Sequence, residues 1–142
     1  GYEIYLQNPP PEWKDAKEIT LRMISEIDKL ARNQGASLIV FAVPSDEVIK
    51  ISEQEFSIGE IGGSIDFARP YRELEAFLSN KNIPYVDLVL PFRLHFQETG
   101  RMLRWKNDGH WNEDGHKLAA EVVSEEVINL ISHLKTTSLE LN

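Results

Sequence analysis

Two histidines, two aspartates and a tryptophan crowd into KNDGHWNEDGHKLAAE, residues 106–121, just ahead of a regular apolar helix pattern. Asp108 and His110 are two residues apart, a spacing at which a loop can turn both side chains the same way. A carboxylate placed so fixes the tautomer of an imidazole and stabilises its protonated form, as a general base toward a serine hydroxyl requires. The same residues admit other readings. HWNEDGHKLAAE (110–121) puts Asn112, Asp114, Gly115 and Glu121 at the third, fifth, sixth and twelfth positions of a calcium loop. Its first position is His110, where calcium needs a hard oxygen, and its eighth is Lys117, where an apolar residue belongs. A transition-metal site built from Asp108, His110 and His116 lacks a third histidine at ligand spacing. Finally, Asn112 as N-cap with Glu113 and Asp114 in the first turn makes a well-capped helix start. Capping accounts for 112–115 and leaves Asp108, His110 and Trp111 unexplained.

Hydrophobic periodicity supplies a frame for that loop. YEIYLQ (2–7) alternates as a short strand does, and NPPP (8–11) breaks it. From Glu12 to Asn33, Trp13, Ala16, Ile19, Met23, Ile24, Ile27, Leu30 and Ala31 recur at helical spacing, and Gly35 sits where a helix C′ residue belongs. SLIVFAV (37–43) reads as a strand buried on both faces, which is the mark of a parallel sheet. Ser45 and Asp46 cap a short helix through EVIKI, and 52–69 reads as an irregular surface insertion. A second helix over 70–82 and a second buried strand, IPYVDLV (83–89), complete a strand–helix–strand crossover with parallel strands. PFRLHFQETG (91–100) forms a short helix or turn. The last helix runs from about Glu113 to Leu134 on an apolar stripe, with a fraying tail.

The fold class expected is α/β, with one domain over 1–142. The Asp108–His110 loop then lies between a strand and a helix, at the carboxyl end of the sheet, where α/β sites collect. Two or three strands are too few for three sizeable amphipathic helices. The rest of the sheet is expected in a preceding N-terminal segment or in a partner chain, the second option including a homo-oligomer. Gly1 is an improbable natural start, which suggests a cut or processed chain.

Composition sets the outer limits. The 142 residues include 15 basic and 23 acidic ones, for a net charge of −8, which argues against a nucleic-acid backbone or an anionic membrane as partner. The absence of cysteine removes disulfides, thiolate zinc sites and cysteine nucleophiles. No run approaches the roughly 20 apolar residues of a membrane span. Trp13 is expected in the core and Trp105 in the core or on a site rim. His95 and His133 are expected to be solvated or at helix ends, and Arg101 and Arg104, which could touch substrate, are expected to be a solvated pair.

The stretch WKNDGHWNEDGHKLAAEVV resembles the C-terminal block of the SGNH (GDSL-type) hydrolase superfamily. It is most similar to the bacterial branch that reads D-G-H-W-N-x-x-G-H-x-x-A-A and is related to alginate O-acetyltransferase-like proteins. The order helix, SLIVFAVPS, insertion, helix, NIPYVDLV extends the likeness over nearly all of this chain, but over only the C-terminal half of the family's domain. The resemblance implies a three-layer α/β/α (flavodoxin-like) fold with a parallel sheet. It implies Asp108 as triad acid, His110 as base, and Trp111, Asn112, Gly115 and His116 as supporting positions. It further implies serine-based acyl transfer at a small-molecule or glycan ester such as a carbohydrate O-acetyl group, with no metal or organic cofactor. The family's G-D-S nucleophile motif and its oxyanion glycine and asparagine blocks are absent, and neither Ser64 nor Ser124, Ser132 or Ser138 has a nucleophile's setting. The serine is therefore expected outside these residues.

Overall fold

The computed structural model of the chain describes residues 2–50, 56–58 and 63–140, with 56–58, 63, 64 and 133–140 described by backbone alone. A 3-10 turn at Glu3–Tyr5 leads into helix α1 (Pro11–Asn33), strand β1 (Val40–Ala42) and helix α2 (Asp46–Lys50). Strands β2 (Phe56–Ile58) and β3 (Gly63–Ile65) follow, then helix α3 (Arg69–Asn80), strand β4 (Tyr85–Asp87), and helices α4 (Val89–Thr99) and α5 (Glu113–Glu140). Among the described residues no helix is long and apolar enough to cross a membrane.

β1 and β4 pair in parallel, with Val40 opposite Tyr85, Phe41 opposite Val86 and Ala42 opposite Asp87. The chain is thus a mixed α/β structure with a two-stranded parallel sheet and α3 in its crossover. Local signals set the helix ends. Pro11 opens α1, where a missing N–H costs nothing, and Gly35 closes it at φ +71°. Gly100, in the left-handed region at φ +66°, ends α4 with its N–H on the Phe96 carbonyl at 2.8 Å. Asp66 accepts the free N–H groups of Ala68 and Arg69 at the start of α3, at 3.0 and 3.1 Å.

One core cluster gathers Ile49, Val86, Leu88, Phe92, Leu103 and Ala119, with Trp111, Leu118, Val122 and Val123 packed against it. A second gathers Leu6, Val48, Ile65, Phe67 and Val89. Each Val, Leu, Ile or Phe among them, fully buried, contributes about 1.5–3 kcal/mol. The face of α4 that carries Val89 and Phe92 joins the two clusters, and α5 enters the first through Ala119.

Several expectations are corrected. Within 2–7, Glu3–Tyr5 form a 3-10 turn instead of a strand, and among the described residues of that stretch only Leu6 makes a bridge, to Ile65. Their carbonyls are taken by other donors: Asp66 N–H on Tyr5 at 2.8 Å, and the Arg69 guanidinium on Ile4 and Gln7. The insertion at 52–69 lies partly outside the described residues. Its described part is an antiparallel β2–β3 pair, and Ile65 and Phe67 are core residues rather than surface ones. The stretch 37–43 is not buried on both faces: only 40–42 form the strand, and Phe41 is 46% and Val43 53% exposed. α5 continues helically through the expected frayed tail as far as Glu140. The helix α1 forms as its periodicity predicts, yet none of its residues is buried, and Ile19, Met23, Ile27 and Leu30 are half exposed or more. Trp13, expected in the core, is 37% exposed.

Candidate active site

The loop that carries Asp108 and His110 is closed on itself. Arg104 and Trp111 form an antiparallel bridge at its neck, and Trp105 N–H donates to the His110 carbonyl at 3.1 Å. Asp108 N–H returns to the Trp105 carbonyl at 3.1 Å, and Asn107 takes the left-handed conformation at φ +64° that the turn requires. The loop does not follow a strand directly, as its sequence position suggests; α4 and residues 100–103 intervene after β4.

Within the loop Asp108 reaches forward. Its Oδ1 accepts the backbone N–H of His110 at 2.9 Å and lies 2.5 Å from His110 Nδ1. These hydrogen bonds, the backbone one first, hold the Asp108 carboxyl below the usual carboxylate range, so it is ionised at neutral pH. Against an ionised carboxylate Nδ1 is the nitrogen that carries a proton, so in the neutral imidazole the lone pair is on Nε2. The His110 side chain is 88% exposed and that of Asp108 is 51% exposed, so Nε2 faces outward from the loop.

Arg104 was expected to be solvated, and the structure corrects this. Its side chain is only 14% exposed, with Nε 2.9 Å from Asp46 Oδ1. Its two terminal nitrogens donate to the carbonyl of Gly109, between Asp108 and His110, and to the carbonyl of Pro44. Pro44 lies just beyond the carboxyl end of β1, so this one guanidinium fixes the Asp–His loop to that end of the sheet. Tyr71 on α3 steadies the same turn: its hydroxyl accepts Ser45 N–H at 2.9 Å and donates to the Val43 carbonyl at 3.4 Å. An open cleft of about 1050 Å³ lies between this turn and residues 101–109, and Asp108 lines it. Among the described residues Ser45 is the one hydroxyl side chain in that lining, and its Oγ accepts Val48 N–H at 3.4 Å as the cap of α2.

The supporting positions divide. Asn112 caps α5, its Oδ1 accepting Gly115 N–H at 2.9 Å and its carbonyl accepting His116 N–H at 3.0 Å. Gly115 is demanded by space: a Cβ there would stand 2.4 Å from the Leu103 carbonyl oxygen. Trp111 is half-buried against Phe92, ring centroids 5.1 Å apart, and meets His116 edge-on at 5.6 Å. His116 is exposed on the first turn of α5 and serves that ring contact rather than the pair. His95, expected to be solvated, is half-buried and lines a smaller cavity with Thr99 and Asp114.

Residues 113–121 are helical, so the calcium-loop spacing corresponds to no loop. Among the described residues no three His, Asp or Glu side chains come together as a metal site would need. No family model, curated protein or solved structure matches this chain.

Proposed function

We propose that Asp108 and His110 are the acid and base of an SGNH-type serine esterase or acyltransferase, whose serine lies outside residues 1–142. In this reading the α/β frame belongs to a three-layer α/β/α domain that these residues form only in part. The serine hydroxyl attacks the carbonyl carbon of an acyl ester while His110 Nε2 takes its proton. The tetrahedral intermediate collapses, the C–O bond to the alcohol breaks, and His110 returns the proton to the leaving oxygen. Asp108 stays ionised and holds the imidazole in position throughout. Neither step draws on a metal or an organic cofactor.

The observation that carries the reading is the short Asp108 Oδ1–His110 Nδ1 contact, with Nε2 left free and outward-facing. The exposed apolar stripe of α1 supports the view that the sheet is incomplete, since an amphipathic helix is stable where its apolar face is covered. That stripe also favours a second reading, a non-catalytic module that pairs with another chain while the Asp–His pair is idle. The signature of that module is concentration-dependent association without ester turnover.

Fluorophosphonate labelling of the chain, mapped by peptide mass, is expected to modify no serine. In a protein that joins this pair to its serine, His110→Ala is expected to cut ester turnover about 10²–10⁴-fold with little change in stability. Unchanged turnover removes the base assignment, and a stoichiometric, His110-dependent label on Ser45 would relocate the nucleophile into the chain.

A further inference from the structure

The cleft beside Asp108 differs in charge from the rest of the molecule. Among the described residues its lining carries four cations, Lys50, Arg101, Arg104 and Lys106, and three carboxylates, Asp46, Glu47 and Asp108, whereas the whole chain has 15 basic residues to 23 acidic ones. The three carboxylates are already engaged. Asp46 lies 2.9 Å from Arg104 and 3.6 Å from Lys50, Glu47 accepts the Tyr2 hydroxyl at 3.4 Å, and Asp108 holds His110. Two cations are left over. The side chains of Arg101 and Lys106 are exposed, with no partner among the described residues.

Trp105 lines the same cleft and is 55% exposed, more than Trp13 at 37% or the half-buried Trp111. An indole left so far in water offers a flat apolar face, and tryptophan and arginine are the side chains that most often anchor a bound partner. A guanidinium without a protein partner matches a carboxylate or phosphate in its fork.

We propose that this cleft binds a ring that carries an anionic group, the ring face lying on Trp105 and the anion meeting Arg101 and Lys106. As a ligand site it stands on the cleft alone. As the substrate's site it rests on the acyl-transfer reading, and places the ester of an acidic, ring-bearing molecule beside Asp108 and His110.

The test is tryptophan fluorescence of the chain titrated with glucuronate, glucose 6-phosphate and glucose at low and high salt. Saturable quenching is expected with the acidic sugars and not with glucose, weakening as salt screens the anion. Comparing the two acids tells a carboxylate-bearing ligand from a phosphate-bearing one. Trp105→Ala is expected to abolish the signal. Arg101→Ala with Lys106→Ala is expected to weaken binding about three- to tenfold, as the loss of two exposed ion pairs does. These side chains are exposed, so the variants should keep the wild-type circular dichroism and melting temperature. Equal binding of glucose, an unchanged double variant, or no saturable change with either acid overturns the proposal. Because the readout is binding, unchanged ester turnover of His110→Ala in a protein that joins this pair to its serine leaves this result standing and refutes only the catalytic reading.

Discussion

Single side chains decide where the Asp108–His110 pair stands. Arg104 contacts a carbonyl inside its own loop and, about 60 residues away in the chain, a carbonyl beyond β1 and a carboxylate at the start of α2. A lysine's three donors radiate from a single nitrogen and lack the planar span by which the guanidinium reaches all three. The two glycines of the motif differ in the same concrete way. A Cβ at Gly109 would meet nothing within 4 Å, whereas one at Gly115 would press on the Leu103 backbone. Gly115→Ala is therefore expected to cost about 1–3 kcal/mol by overpacking, despite alanine's better helix propensity. Gly109→Ala is expected to be nearly neutral. Urea unfolding of the two variants checks this, and equal stability would show that Leu103 yields to the methyl group.

At the level of elements, helix starts depend on carboxylates and amides that satisfy free N–H groups. Asp66 does this for α3 and pairs with Arg72. Partial burial pushes its carboxyl up, but Arg72 and the N–H groups of Ala68 and Arg69 outweigh that and hold it below its ordinary value of 3.8. A carboxyl lowered in the folded state adds stability above its unfolded pKa, and that stability is lost as pH falls through the folded value. Asp66→Ala is thus expected to cost about 1 kcal/mol at pH 7 and to lessen the loss of stability below about pH 4. Thermal melts across that range measure both, and parallel curves for the two proteins would rule out the linkage. The α4 helix has a different part: its Val89 and Phe92 bind the two core clusters into one interior, so its packing decides where residues 100–110 begin.

For the molecule as a whole, the interior lies around α4 and not around α1. Phe92 is 1% exposed, while Met23 and Leu30 are 60% and 64% exposed. Phe92→Ala is expected to cost about 3–5 kcal/mol. Met23→Lys with Leu30→Lys is expected to change the stability of this chain by no more than about 0.5 kcal/mol, since exposed sites contribute little. Calorimetry distinguishes them, and a large loss in the lysine variant would mean that the α1 stripe is covered in solution.

The sequence by itself determined α1, α3, the start of α5 and the parallel strand order, because periodicity, Gly35 and Asn112 act over a few residues. It also marked Asp108 and His110, two residues apart, so that their contact needs only one turn of loop. Tertiary structure alone decided the rest. That the Arg104 side chain is largely shielded and ties its own loop to 44 and 46 depends on two partners about 60 residues away, which no local pattern encodes. That Ile65 and Phe67 are core, while Ile19 and Met23 are not, depends on which faces meet. Periodicity tells which residues share a face of a helix; only packing against the other elements tells whether that face is covered.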